Sequence, residues 1–176
     1  MHARIMRHPY IGIALAALAV FGVVIASIAI CGRIASGSPP PGSTTPPPDA
    51  ITVIQQFRAA GLPLGDTDIV YTAATDPNHL LGRPNGYLSK VSFIDGRINS
   101  TDVRDASPGS VDLGGSVEVF ATQSDALARV EYITRIEKDM PLFGTEHDYV
   151  TGSVLIRVSS LLSPGQATEY LKAAAG

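Results

Sequence analysis

Residues 87–94 read Tyr-Leu-Ser-Lys-Val-Ser-Phe-Ile, and their alternation decides the fold class. Tyr87, Val91 and Phe93 alternate with Leu88, Lys90 and Ser92, the period of two that marks a β-strand. Toward the amino terminus, Asp68 to Ala74 is predicted as a further strand. Before it, Ala50 to Ala60 is predicted as a helix: Asp49 caps it, Val53, Ile54 and Phe57 form its apolar stripe, and Gly61 ends it. Toward the carboxyl terminus, Ser116 to Ala121 is a strand with Val117 and Val119 facing inward. Thr122 then opens the longest helix, with Asp125 in its first turn, Leu127, Val130, Ile133 and Ile136 on one side, and Pro141 closing it. Tyr149 to Val158 reads as one strand, or as two joined near Thr151-Gly152, with Val154, Ile156 and Val158 on one face. Ser163-Pro164-Gly165-Gln166 has the form of a capping box with proline at the first helical position, opening a short helix that carries Tyr170 and Leu171. Short strands and few helices in this order predict an α+β domain over residues 50–176, with a mostly antiparallel sheet of four to five strands and helices packed on one face.

Upstream of that domain the chain changes character. Residues 10–30 carry no charged side chain and are rich in Ile, Leu, Val, Ala and Phe. At 1.5 Å per helical residue they cover roughly 30 Å, the thickness of a bilayer's hydrocarbon core. Arg4 and Arg7 precede the segment and Arg33 follows it, so the positive-inside rule keeps residues 1–9 cytoplasmic and sends the remainder across the membrane. The first reading is a single-pass signal anchor. Cleavage after Ala29 and lipidation at Cys31 are the alternatives, the latter opposed by the bulky Ile30 before the cysteine. Residues 31–49 form a linker; from Ser36 to Asp49 it holds six prolines in fourteen residues, which favours extended polyproline II over burial.

Charge and cysteine content narrow the chemistry. From Asp49 onward 10 Lys and Arg face 16 Asp and Glu, a net of −6, which speaks against nucleic acid as a partner. Cys31 is the one cysteine in the sequence, so the domain carries neither a disulfide nor a thiol nucleophile. Glu146-His147-Asp148 suggests a catalytic or metal site, but in a strand His147 and Asp148 point to opposite faces. No GxSxG, HExxH or SxxK pattern occurs. Asp76-Pro77-Asn78 opens like a calcium loop, yet Leu80 and Leu81 stand where a ligand and a glycine belong. Asp102, Asp105 and Asp112 read as a solvated acidic loop. The sequence therefore nominates no catalytic residue, metal or cofactor.

Asp76 to Lys90, DPNHLLGRPNGYLSK, is dense in turn chemistry: Asp76-Pro77-Asn78, Gly82 and Asn85-Gly86 all favour tight turns, and Arg83 lies among them. This run resembles a family of small uncharacterised secreted, lipoprotein-like or membrane-anchored proteins of Gram-positive bacteria, chiefly actinobacteria. The likeness lies in Asp76-Pro77-Asn78, Leu80 to Pro84 and Tyr87, continuing to Ser89-Lys90-Val91. It extends through Gly114 to Phe120 and a helix with Ala128, Arg129 and Tyr132. The resemblance implies an envelope location and a shared fold, and it assigns no catalytic residues. Two readings of the loop stand: Arg83 pairs internally and the glycines shape the strand entry, or Asp76, Asn78, Arg83, Asn85 and Lys90 present a binding surface. The leading expectation is a non-enzymatic envelope module that binds an envelope protein or a wall component. A carboxylate-based hydrolase or transferase acting on the cell wall, and a small-ligand sensor, are the alternatives.

Overall fold

The computed structural model describes residues 47–140 and 144–176. The expected cytoplasmic tail, membrane span, Cys31, most of the linker and Pro141 lie outside the described residues. Among those residues, no helix is long and apolar enough to cross a membrane.

The domain is α+β. Five strands, β1 (Ile69–Val70), β2 (Tyr87–Ile94), β3 (Gly114–Phe120), β4 (Glu146–Thr151) and β5 (Val154–Ser159), form one antiparallel sheet in the order β1-β2-β3-β5-β4. Three helices, α1 (Ala50–Ala59), α2 (Gln123–Asp139) and α3 (Pro164–Ala175), complete it. The predicted Asp68–Ala74 strand shrinks to the two residues of β1. After Tyr71 N–H bonds the Lys90 carbonyl, the chain turns away at Thr72 to Asp76. The Tyr149–Val158 segment is a hairpin, with Gly152 at φ +55° in its turn.

Alternation along the strands divides the core in two. Val91 and Phe93 of β2, Val117 and Val119 of β3 and Val154, Ile156 and Val158 of β5 pack against Val53, Ile54 and Phe57 of α1 and Ala167 and Tyr170 of α3. Phe57, Phe93 and Tyr170 meet with ring centroids 4.9 to 5.7 Å apart. Phe93 lies opposite Gly115, where any Cβ would collide with the Phe93 ring and the Arg157 carbonyl, so glycine is required there.

The sequence predicts helices packed on one face of the sheet, but they occupy both. α2 packs on the opposite side, over Tyr87, Phe120 and Leu155, through Ala126 and Ile133. The reason is that Lys90, Ser92, Ser116 and Glu118 read as solvent-facing alternates but are buried. A register shift between Tyr87 and Ser89 carries Tyr87 to this second face, away from Val91 and Phe93. In α2, Val130, Ile133 and Ile136 face inward as predicted, but in the first turns Ala126 takes the buried place and Leu127 is 52% exposed.

Helix ends follow the sequence closely, with one exception. Thr122 Oγ1 accepts from Asp125 N–H, and Ser163 and Gln166 form the full capping box. Asp49 occupies the α1 cap position without a side-chain cap bond; instead Ala50 N–H donates to Ser89 Oγ at 2.9 Å, tying the helix to β2.

Candidate functional site

The face under α2 is built on charge. Glu118, at the centre of β3, is fully buried, and three cations surround it: Arg129 Nε of α2 at 3.1 Å, Arg157 NH1 of β5 at 3.2 Å and Lys90 Nζ of β2 at 3.5 Å. Burial works against its charge, and Arg157, Arg129 and Lys90 outweigh it, so its carboxyl titrates below the usual range. Arg157 also grips Glu146 of β4 with two bonds, at 2.7 and 2.9 Å. Burial lowers the Lys90 ammonium, and the Glu118 charge offsets part of that effect. The ammonium lies 4.9 Å from the Tyr71 ring centroid and 5.4 Å from that of Tyr87.

The Asp76–Lys90 segment closes one end of this cluster. Asp76 is buried, and its carboxylate accepts from Tyr87 Oη–H and from the backbone N–H groups of Asn78, Leu80 and Leu81. Burial raises its pKa, and these bonds together more than reverse that, leaving it below the usual carboxylate value. Asn78 turns its side-chain oxygen inward, accepting from Arg129 and Lys90 at 3.1 Å each. Gly86 lies so close to the Leu80 carbonyl that a Cβ would overlap it, and Asn85 has φ +61°. Of the five residues nominated from sequence, Asp76 and Lys90 are therefore interior supports and not surface groups. Asn78 bridges to α2. Arg83 and Asn85 are exposed, and no carboxylate pairs with Arg83 among the described residues.

A cleft of about 780 Å³ opens along α2. Its helical wall runs from Asp125 through Arg129 and Tyr132 to Glu137. Asn78, Leu80 and Asn85 border it from the loop, Ser110 to Asp112 from the segment before β3, and Glu146 and Arg157 from the sheet. Tyr132 is 51% exposed, with the Arg129 guanidinium 5.4 Å from its ring centroid. Glu137 Oε1 accepts from Glu146 N–H at 2.9 Å, fastening the end of α2 to β4.

Asp148 is the anomaly of the cluster. It shares a row with Arg157 and Ser116, and its buried Oδ1 has no hydrogen-bond partner. Burial and the neighbouring Glu146 charge push its pKa up to about 8. His147 points to the other face, where Nε2 meets the Leu162 carbonyl at 3.1 Å, so the adjacent pair does not converge. Among the described residues, no three His, Cys, Asp or Glu side chains converge as metal ligands.

Glu118 and Arg157 are missed from sequence, and Glu146 and Asp148 are weighed there only as partners of His147 and set aside, although a signal for the cluster exists. A lone Glu within Ser116–Phe120 and a lone Arg within Val154–Ser159 each break an otherwise buried strand, and opposite charges so placed imply one another. Comparison with family models, with curated proteins and with solved structures finds no match to this chain.

Proposed function

We propose that the domain is a non-enzymatic binding module of the cell envelope that takes its ligand in the α2 cleft. The observation carrying this reading is the cleft itself, an open groove over charges that are already paired. Glu118 is held ionised by three cations, and Arg157 is held by Glu118 and Glu146. Groups so engaged give the groove a rigid floor and have little freedom to exchange protons with a substrate. The amino-terminal segment anchors the module in the membrane with the domain on the extracytoplasmic side, and the proline-rich linker holds it away from the bilayer. Asn78 and Asn85 of the turn-rich loop form the rim of the groove, and Asp76 and Lys90 support it from below.

The test is site-directed photocrosslinking in the native membrane, with the reactive side chain at Tyr132 in the cleft or at the exposed Lys172 on α3. One envelope component joined from position 132 and not from 172 is the expected result. Equal capture from both positions, or capture from 172 alone, would defeat the assignment.

A hydrolase or transferase acting on the cell wall is the second reading, and one observation favours it. Asp148, its pKa pushed up to about 8 by burial and the Glu146 charge, is a carboxylic acid kept neutral at pH 7, an arrangement used for acid catalysis. Asp148 lies below the cleft and does not line it. Asp148→Asn separates the two readings: ligand capture persists in a binding module, whereas an enzyme loses turnover.

A further inference from the structure

We propose that the ligand of the α2 cleft is an uncharged or amine-bearing sugar chain, an inference that rests on the cleft being the binding site. Charge is the first argument. Four carboxylates, of Asp112, Asp125, Glu137 and Glu146, line the cleft against the two guanidinium groups of Arg129 and Arg157. Both arginines are already engaged by the buried Glu118 beneath them, and Arg157 also by Glu146, which leaves Asp112, Asp125 and Glu137 without a cationic partner among the described residues. What remains facing a ligand is net negative, in a domain that is itself acidic, so phosphates and polyanionic chains are repelled.

Shape is the second argument. The cleft follows α2 from Asp125 to Glu137, roughly 18 Å at 1.5 Å per residue, an elongated groove suited to a chain. Its polar groups are side-chain amides, carboxylates and two guanidinium groups, a mixture of donors and acceptors that matches hydroxyl groups able to play both parts. Tyr132, half-exposed on the wall, offers an apolar ring face and a polar tip, and a pyranose ring likewise has a C–H face and an edge of hydroxyls. Peptide recognition would draw on other features: a continuous apolar groove for a helix, several aromatics for polyproline, or a free strand edge for β-addition. The edge strand β4 reaches the cleft only at Glu146, whose N–H is already bonded to Glu137. Of the two aromatic side chains in the lining, Phe120 is buried and only Tyr132 is exposed, and the apolar residues are broken up by charges.

The experiment titrates the full chain in lipid nanodiscs with chitotetraose, with its deacetylated glucosamine counterpart and with tetragalacturonate, followed by calorimetry and amide hydrogen exchange. The first two are expected to bind and to protect residues 125–137, with tetragalacturonate at least tenfold weaker. Tyr132→Ala should weaken binding at least tenfold, while Tyr132→Phe, which keeps the ring, should stay within a factor of about three. Galacturonate binding as tightly as the neutral chain would overturn the charge argument. Protection confined to residues outside the cleft would overturn the cleft reading as well. If no sugar binds and an oligolysine probe protects 125–137 instead, the sugar class falls and the cleft remains the site. Failure of all four probes would overturn the proposal.

Discussion

The two faces of the sheet come from the same strands and yet are held by opposite means. Under α1 and α3, Val91, Phe93, Val117, Ile156 and Val158 meet Phe57 and Tyr170 in a continuous apolar layer. Under α2, the alternate residues of those strands are Lys90, Ser92, Ser116, Glu118 and Arg157, with an apolar patch only around Tyr87, Phe120, Leu155 and Ile133. A buried ion cluster is seldom the most stabilising filling for such a space, since hydrophobic replacements often equal or exceed it. The apolar face therefore accounts for the fold, and the charged face for the polar cleft above it.

The largest effects should come from one substitution on each face. Glu118→Ala strands three cations in the interior and is expected to cost about 3–5 kcal/mol in chemical denaturation. Phe93→Ala opens a hole between Phe57 and Tyr170 at a similar cost, about 3–5 kcal/mol. The two separate in a rescue: combining Glu118→Leu with Lys90→Met, Arg129→Leu and Arg157→Met should recover most of the stability while abolishing ligand capture. Failure of that variant to fold would make the ion cluster a structural necessity and blur the distinction between the faces.

Asp148 sharpens the comparison through pH. Its folded pKa near 8 lies above the ordinary carboxylate value, so between about pH 4 and 8 the unfolded chain releases a proton that the folded chain retains. Stability from this group is full below pH 4 and is lost as pH rises through 8. Asp148→Asn should therefore be more stable than the parent at pH 8.5, by roughly 1–3 kcal/mol, with the difference shrinking toward pH 4. A constant difference across that range would mean that Asp148 is ionised throughout. The smallest effect belongs to neither face: Arg135→Ala removes an exposed pair with Glu131 on α2 and should change stability by less than about 0.5 kcal/mol.

The apolar face was legible in the sequence because its signals are local. Val154, Ile156 and Val158 announce their shared side by spacing alone, and Ser163 to Gln166 writes out the α3 cap in four residues. The charged face was not, because a buried charge in a half-polar strand looks the same as a solvated one until its partner is found. Arg157 lies 39 residues from Glu118, and Lys90 joins them only through strand pairing. The same ambiguity hid the place of α2, whose stripe includes Arg129 and Glu137 beside Val130 and Ile133. Within Asp76 to Lys90 the turn chemistry was readable, as Gly82 at φ +74° and Asn85 at φ +61° illustrate. What could not be read was direction: Asp76 and Lys90 point into the domain, where bonds from Tyr87 and three backbone amides and ion pairing with Glu118 offset their burial.

Amide hydrogen exchange on the full chain, resolved by segment, tests the division of labour between the faces most directly. Because α2 rests on a small apolar patch around Ala126 and Ile133 and on the Arg129–Glu118 ion pair, its amides should exchange through a local opening at least about 1–2 kcal/mol below the global unfolding that exposes β3 and α1. Exchange of α2 at the same free energy as β3 and α1 would contradict the account, because the two faces would then open as one unit.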